Sequence, residues 1–327
     1  MYNCIELKDN TMVNEKRIIS FLKKNDFLKH SKLEQMAGLS QGLISAVLAG
    51  RKSFSDAHLE KLYAVLKNFG IDNILNSTVI SVMNNKGGVA KTTTTLNLGT
   101  ALARSGKKVL LIDLDPQGNL SQCLGIDEPV RELKSLLIED AELGDVKLKI
   151  EDNLTLIPSS IKLDEVTIRM NQDRTIPNSV LRQKLAQEEE EFDYIFIDLP
   201  PNLSVLNYVA LEASESVIIP VEPGKLAYNG LDGAKLVIDQ INRMNSSNPL
   251  QILGVLIIKA APNEKIYKGY VPAIRAEEVV FKTEIPVDAH LKQSIELTQN
   301  VFDYAPKSKA AKAYKDLAKE VMSLKKN

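Results

Sequence analysis

The chain has 327 residues, of which 44% are hydrophobic and 25% charged, and this length predicts one large α/β domain with an appendage. No apolar run approaches the roughly 20 residues that a membrane-spanning helix needs, and the first residues show no signal-peptide pattern. Two cysteines and three histidines exclude a disulfide framework and a cysteine-rich zinc site, so we expect a cytoplasmic protein.

The composition changes near residues 73–77, and we expect a small all-α domain over residues 1–76 with no convincing strand. This part carries 11 basic and 8 acidic side chains, a balance compatible with nucleic-acid binding. Its pattern predicts a short helix ending near Ala37, a turn at Gly38 and a second helix capped by Ser40. The next helix has one apolar face, formed by Leu59, Leu62, Val65, Leu66 and Phe69.

This spacing resembles the repressor-type helix-turn-helix class, although Glu34 stands where that class usually packs a small residue. If the module docks on DNA, the start of its second helix meets base edges and the following turn meets phosphates. The candidate DNA contacts are then Gln41, Gly42, Ser45, Arg51 and Lys52. The alternative is ordinary helix surface, because the same geometry also occurs in proteins that never touch DNA.

After residue 77, apolar runs alternate with segments of helical periodicity. Val, Ile and Leu runs separated by helices are typical of a parallel sheet covered on both faces. The predicted fold of residues 77–327 is therefore a doubly wound, mostly parallel α/β sheet. The first helix is predicted at Lys91–Ser105, and the predicted strands are Thr78–Met83, Val109–Asp115, Leu154–Pro158, Tyr194–Leu199, Val217–Val221 and Ile252–Ile258.

A glycine-bearing turn joins the first of these strands to the helix that opens with Lys91 and Thr92. Such a layout forms a phosphate cradle, in which backbone N–H groups face the anion. Lys91 would reach the β- and γ-phosphates, and the Thr92 hydroxyl would ligate Mg²⁺. The ordinary pattern G-x-x-x-x-G-K-[ST] is not satisfied, because its two glycines fall on Asn85 and Ala90. A plain turn with two adjacent glycines is the alternative.

Acidic residues stand at the ends of two further apolar strands, at Asp113 and Asp115 and at Asp198. In open α/β sheets, ligands bind outside the carboxyl ends of the strands. Asp198 fits the carboxylate that holds Mg²⁺ through water beside a phosphate loop, and Asp115 could orient or polarise the attacking water. One such carboxylate is as often a helix cap. Two of them beside a phosphate loop predict a nucleotide site.

Three ordered motifs and a tail resemble the ParA family of DNA-partitioning ATPases, the deviant Walker-A proteins related to MinD. The motifs are Lys86-Gly-Gly-Val-Ala-Lys91-Thr-Thr, Leu111-Ile-Asp-Leu-Asp-Pro-Gln-Gly-Asn-Leu120 and Ile195-Phe-Ile-Asp-Leu-Pro-Pro201. The tail runs from Ile285-Pro286 to Leu317-Ala318, so the resemblance covers about residues 77–319.

The resemblance implies an ATP hydrolase with ATP or ADP and Mg²⁺ as its ligands. It makes Lys86 the signature lysine that crosses the interface of an ATP-sandwich homodimer, and Asp115 the residue that supports hydrolysis. Thr92 and Asp198 would hold the metal. The implied nucleotide contacts are Lys86, Gly87, Gly88, Val89, Ala90, Lys91, Thr92 and Thr93, with Pro286 as a candidate for adenine. Ala90 stands where many members carry Gly, and we expect it to be tolerated if its φ is negative.

A partition switch is the function that the resemblance implies. The ATP-bound dimer would bind nucleoid DNA without sequence preference, a ParB-type partner would stimulate hydrolysis, and the amino-terminal module would repress its own operon, as in larger plasmid ParA proteins. Candidate phosphate contacts on the ATPase domain are Lys265, Lys268, Arg275 and Lys292, each of which could be plain solvated surface. Val287 occupies a position at which family members often carry a basic residue.

Three alternatives compete with this interpretation. A membrane-cycling MinD-like ATPase needs an amphipathic C-terminal helix with large apolar residues, whereas residues 311–326 are rich in Ala and Lys and favour a helix packed on the domain. A nitrogenase-type iron protein needs two bridging cysteines, and only Cys123 lies in the ATPase domain. A nucleotide-sensing repressor with a weak ATPase stays open.

Overall fold

The computed structural model describes residues 4–6, 12–25, 28–69, 71, 77–139, 141–173, 176–186, 192–225, 227–244 and 249–324. The chain divides into two compact units, Met1–Asn76 with Leu185–Glu191, and Ser77–Lys184 with Phe192–Asn327. In these described ranges, no helix combines the length and the apolar character needed to cross a membrane.

Among the described residues up to position 71, the first unit has four helices and a two-stranded ribbon. The helices are α1 (Glu15–Lys24), α2 (His30–Met36), α3 (Leu43–Leu48) and α4 (Asp56–Lys67). The strands β1 (Cys4–Glu6) and β2 (Met12–Asn14) pair antiparallel. The expectation of an all-α unit is therefore wrong, because strands of three residues are too short to show an alternating pattern in the sequence.

One apolar core holds the helices of this unit together. Leu59, Leu62 and Leu66 of α4 are fully buried in it, with Ile18, Phe21 and Ile44 from the other helices. The predicted apolar face of α4 is confirmed except at its end. Phe69, which lies two residues beyond the end of α4 at Lys67, is 41% exposed.

A buried carboxylate, rather than Ser40, caps the second helix of the α2–α3 pair. Gly42, in the left-handed region at φ 83°, precedes α3, and no side chain of this N-cap position serves the helix. Glu34 of α2 is 2% exposed, and its two carboxylate oxygens accept from the N–H groups of Gly42 and Ile44, both at 2.8 Å. A negative charge at a helix N-terminus is favourable. The prediction that Ser40 caps this helix is therefore wrong. A large side chain at position 34 has a physical reason, because the Glu34 carboxylate reaches two N–H groups at the start of α3.

The second unit is built on a seven-stranded sheet in the order β5-β6-β4-β7-β3-β8-β9. All neighbouring strands are parallel except β5 and β6. Six predicted strands are confirmed to within two residues, whereas the antiparallel edge strand β5 was not predicted. The strands are β3 (Thr78–Val82), β4 (Val109–Asp113), β5 (Leu148–Glu151), β6 (Leu154–Ile157), β7 (Tyr194–Asp198), β8 (Ser216–Val221) and β9 (Gln251–Ile257).

Helices cover this sheet, and every residue of β4 and β7 is buried. The Leu-rich face of α5 and the apolar face of α16 meet in the main core. The helices are α5 (Lys91–Arg104), α6 (Asn119–Gln122), α7 (Leu133–Ile138), α8 (Leu143–Val146), α9 (Asp164–Gln172), α10 (Val180–Ala186), α11 (Val205–Ala213), α12 (Ala227–Met244), α13 (Lys265–Glu277), α14 (Ala289–Glu296), α15 (Val301–Tyr304) and α16 (Lys309–Leu324).

Glu34→Ala is expected to lower the free energy of unfolding of the first unit by about 1–3 kcal/mol, because two N–H groups at the start of α3 lose their acceptor. Native-state hydrogen exchange of the α3 amides in the full chain measures this. Glu60→Ala, an exposed position on α4, is the matched control and should change stability by less than about 0.5 kcal/mol. Equal effects of the two substitutions would contradict the capping role.

Candidate functional site

The three predicted motifs meet at the carboxyl edge of the three central strands. β3 and β4 both pair with β7, and Asp198 lies opposite Val82 of β3 and Asp113 of β4. Residues 84–90 leave β3 at this edge, and Asp115 follows β4. Because parallel strands present their carboxyl ends together, the sheet itself assembles the site.

The loop between β3 and α5 presents hydrogen-bond donors that no described residue uses. In the part of the chain that the structure describes, the backbone N–H groups of Gly88, Ala90, Lys91, Thr92 and Thr93 have no protein acceptor. A Cβ added at Gly87 or Gly88 would meet no heavy atom within 4 Å, so the loop borders open space. Unpaired N–H groups at a helix N-terminus favour an anion, and phosphate fits this donor set.

Ala90 adopts a backbone conformation that L-residues disfavour. It precedes α5 with φ 58° and ψ 32°, in the left-handed region. The expectation that Ala is tolerated here depended on a negative φ, and that condition is not met. The left-handed conformation costs roughly 1–2 kcal/mol for a residue with a Cβ, because the Cβ crowds the following carbonyl. The phosphate loop therefore holds local strain at the position where a glycine would have none.

Lys91, Thr92 and Asp198 lie together behind this loop. The Lys91 ammonium donates to the backbone carbonyl of Lys86 at 3.4 Å, and Lys91 is only 8% exposed. Burial lowers the pKa of Lys91, while the carboxylates of Asp198 and Asp115 act in the opposite direction. The Thr92 hydroxyl donates to Asp198 at 2.6 Å. A hydroxyl and a carboxylate oxygen side by side are ligands that Mg²⁺ prefers.

Two buried carboxylates make the strand ends a site that favours a cation. Burial raises the pKa of Asp198 to about 8, the neighbouring Asp113 acts in the same direction, and the Thr92 hydroxyl and Lys91 partly offset both. Burial also raises the pKa of Asp113 to about 6, although the backbone and hydroxyl of Ser121 donate to it. A positive charge nearby stabilises the ionised form of such groups. The chemistry of these residues therefore fits a divalent cation.

Asp115 borders the same open space as the phosphate loop, and hydrogen bonds hold it in place. Its carboxylate accepts from the Gln117 backbone at 3.0 Å and lies 3.5 Å from the Asn119 amide nitrogen. Its carbonyl accepts from the Ser159 hydroxyl at 2.7 Å. The Asp115 N–H donates to Asp113, so the two aspartates of this motif form one hydrogen-bonded turn. Ser159 and Asp113 were not predicted to support Asp115.

A cavity of about 550 Å³ joins these groups to an apolar wall. Its volume suits a nucleotide-sized ligand. The phosphate loop and Asp115 supply the polar part, and Pro286, the candidate for adenine, lies in the apolar part. Lys86 is exposed and is not among the lining residues. The apolar lining includes Ile258, Ile285, Pro286, Val287, Leu291 and Ile295.

The four candidate phosphate contacts of this unit differ in their surroundings. Lys265 and Lys268 are exposed on α13. Arg275, on the same helix, pairs with Glu284 at 2.7 Å and donates to the Phe281 carbonyl. Lys292 lines the nucleotide-sized cavity. All four side chains are exposed, but Arg275 already has a protein partner and Lys292 borders the cavity.

The predicted contacts of the first unit are all exposed: Gln41, Gly42, Ser45, Arg51 and Lys52. The Ser45 hydroxyl lies 3.5 Å from a ring nitrogen of His30. A residue that the sequence did not single out is Asn84, which is 3% exposed and accepts from the Lys86 N–H at 2.9 Å. Its only signal in the sequence is an amide directly after a buried strand.

The chain is similar to partitioning proteins over most of this second unit. A family model described as an AAA domain matches residues 77–252, more than half of the chain. The sporulation initiation inhibitor protein Soj of Bacillus subtilis is 36% identical over 74% of this chain and 97% of its own length. The chromosome partitioning protein ParA of Caulobacter vibrioides is 35% identical over 75% of this chain and 94% of its own length.

A solved structure shares the architecture. Cobyrinic acid a,c-diamide synthase from Mycobacterium smegmatis, crystallised with an ATP analogue and magnesium, is 28% identical, with a TM-score of 0.65. The similarity covers 77% of this chain and 96% of that one.

Ala90→Gly is expected to raise the free energy of unfolding of the second unit by about 1 kcal/mol, because glycine adopts the left-handed conformation without a Cβ clash. Urea unfolding of the full chain measures it. Ala273→Gly, in the middle of α13, should instead lower stability by about 1 kcal/mol. If both glycine substitutions destabilise, Ala90 is not strained.

Proposed function

The chain belongs to the Soj/ParA family of partitioning ATPases, and from this we propose that it is an ATP-dependent DNA-partitioning switch. The observation that carries the proposal is the row of unpaired N–H groups beside Lys91, Thr92 and Asp198. This arrangement provides donors for a polyphosphate and oxygen ligands for Mg²⁺ at one strand edge.

In the proposed mechanism, Lys91 and the loop N–H groups would hold the β- and γ-phosphates, while Thr92 and Asp198 would hold Mg²⁺. The ion, when bound, neutralises part of the phosphate charge. Asp115 accepts a hydrogen bond from the attacking water and orients it. Its hydrogen bonds to Gln117 and Asn119 keep the carboxylate in place. The apolar wall that includes Pro286 receives the adenine and excludes water from it.

Lys86 acts on a second copy of the chain in this proposal. Its side chain is exposed outside the cavity, and no ion pair of the described residues involves it. Its carbonyl accepts from Lys91, so its backbone is tied to the phosphate site while its ammonium is free. An ATP-sandwich homodimer would bring this ammonium to the partner's nucleotide.

The dimer then binds DNA without sequence preference, and a ParB-type partner stimulates hydrolysis and release. Lys265 and Lys268 are the proposed phosphate contacts, because both are exposed on one helix. Arg275 is a weaker candidate since Glu284 already neutralises it, and Lys292 is better placed for the nucleotide. Such a protein associates with the nucleoid in the cytoplasm.

Membrane cycling of the MinD type receives less support from the C-terminal helix. Tyr314, Leu317 and Val321 of α16 are buried in the core of the unit, and of its large apolar residues Leu324 at the helix end is exposed. An interfacial helix needs such residues free to enter the lipid. This packing favours the partition switch.

Operon autorepression is proposed for the α2–α3 pair of the first unit. Gln41 and Ser45 are exposed at the start of α3, and Arg51 and Lys52 follow it. This placement suits base contacts from the helix and phosphate contacts from the turn.

ATP-dependent DNA binding tests the switch. With random-sequence duplex DNA, the wild type is expected to bind with ATP and not with ADP, and Lys86→Ala should lose at least about tenfold in affinity, because one charge contact across the dimer is removed. Lys149→Ala, an exposed lysine on the edge strand β5, is the matched control and should bind like the wild type. DNA binding that depends on neither ATP nor Lys86 would contradict the proposed switch and favour a nucleotide-sensing repressor.

Operator recognition is tested with a labelled upstream promoter fragment and random DNA at equal salt. The fragment should bind more tightly, and Gln41→Ala should reduce this preference by about 5- to 100-fold through loss of a base contact. Gln35→Ala, an exposed glutamine on α2, should keep the preference. A fragment that binds no more tightly than random DNA would exclude autorepression through this module.

A further inference from the structure

We infer that Asn84 is a positioning residue for Lys86, and that Gly230 and Gly233 of α12 are glycines because Asn84 and Asn85 occupy the space of their side chains. The inference rests on the proposed function for the role of Lys86. It concerns the support of the phosphate loop from behind, on the side of β8 and α12.

The Asn84 side chain connects the loop to the neighbouring strand. Its amide nitrogen donates to the carbonyl of Pro220 in β8 at 2.8 Å, and its amide oxygen accepts from the Lys86 N–H at 2.9 Å. Asn84 is 3% exposed, so water does not compete for these bonds. The path of the chain from β3 to Lys86 is therefore set by one side chain.

Only a side chain with a donor and an acceptor of this length can make both bonds. An aspartate would accept from Lys86 but would face the Pro220 carbonyl with a second acceptor. An apolar residue would leave the buried Pro220 carbonyl unpaired and would remove the acceptor of the part-buried Lys86 N–H. An unsatisfied buried group costs about 1–3 kcal/mol. The amide is thus matched to a carbonyl on one side and to an N–H on the other.

The helix α12 is shaped to fit this amide. A Cβ on Gly230 would lie 2.8 Å from the Asn84 oxygen and 3.2 Å from its nitrogen. A Cβ on Gly233 would lie 2.5 Å from the amide nitrogen of Asn85. Each glycine inside a helix costs about 1 kcal/mol relative to alanine, so two of them one turn apart require a compensating contact. The close approach to the two asparagines provides it.

These contacts separate two properties of the loop. The N–H groups of Gly88 and of Ala90 to Thr93 lie beyond the Asn84 bond in sequence, and they serve the nucleotide of the same chain. The Lys91 ammonium is joined to Lys86 through a long bond of 3.4 Å to its carbonyl, on the other side of the residue from the N–H that Asn84 holds. Lys86 is the residue that Asn84 holds directly. Loss of the amide contact should therefore affect the role of Lys86 more than the binding of ADP.

The test compares five full-chain variants with the wild type: Asn84→Ala, Gly230→Ala, the Asn84→Ala/Gly230→Ala double variant, Lys86→Ala and Gly269→Ala. Gly269→Ala is the matched control, because Gly269 is also helical and its Cβ would meet nothing within 4 Å. For each, thermal unfolding, ADP affinity, KM and kcat for ATP, and ATP-dependent dimerisation by sedimentation velocity are measured. Gly230→Ala keeps every hydrogen-bonding group and carries the test if Asn84→Ala does not fold.

We expect Asn84→Ala and Gly230→Ala to lower kcat at least tenfold, because the misplaced Lys86 loses one stabilising contact to the reacting phosphates. KM and ADP affinity should stay within about threefold of the wild-type values. The double variant should be no worse than Asn84→Ala, because Gly230 matters only through the amide. Gly269→Ala should behave like the wild type.

The inference is overturned if Gly230→Ala behaves like Gly269→Ala, if the two single effects simply add, or if ADP affinity falls in parallel with kcat. A different result would contradict the proposed function. If Lys86→Ala dimerises with ATP like the wild type, the role of Lys86 between two copies is wrong, and the non-additivity of the Asn84 and Gly230 effects on kcat still decides the inference.

Discussion

The parallel pairing of β3, β7 and β4 is the constraint on which the rest of the structure depends. It brings the phosphate loop, Asp198 and the Asp113–Asp115 turn to one edge, although they are far apart in sequence. The pairing also buries both carboxylates at the strand ends, and this burial raises the pKa values of Asp113 and Asp198. Serine and threonine hydroxyls then donate to them, so the chemistry of the site follows from the order of the strands.

The sequence predicted those strands and motifs whose structure is determined by the residues within them or directly beside them. Apolar runs such as β4 and β7 are buried along their whole length, and a run of that kind has few alternatives in an α/β protein. Loop and strand-end motifs could be assigned for the same reason, since each follows directly on a strand. The strands β1 and β2 lack such a signal because three residues cannot establish a period, and β5 lacks it because none of its residues is buried and its sequence Leu-Lys-Ile-Glu contains no apolar run.

The remaining errors arose where a distant residue decided the outcome. Ser40 is a good cap by type, but Glu34 comes from the preceding helix and supplies two acceptors at once. The φ of Ala90 is set by the path between β3 and α5, which its own side chain opposes. The surroundings of Arg275 and Lys292 were likewise not visible in the sequence, because Glu284 and the cavity wall determine them. Spacing alone contains no information on such partners.

The residues of the site come from an early and a late part of the chain, and the ribosome makes these parts at different times. The phosphate loop precedes most of the sheet, whereas much of the apolar wall, from Ile285 to Ile295, follows its last strand. Tyr314 of α16 then packs beside α5, with its hydroxyl 3.4 Å from Thr94. A nascent chain that has emerged only as far as β9 therefore presents a phosphate cradle without this part of the wall. The complete nucleotide site can therefore form only after the segment that follows β9 has been made. A chain that ends before this segment has the phosphate loop but lacks this part of the apolar wall.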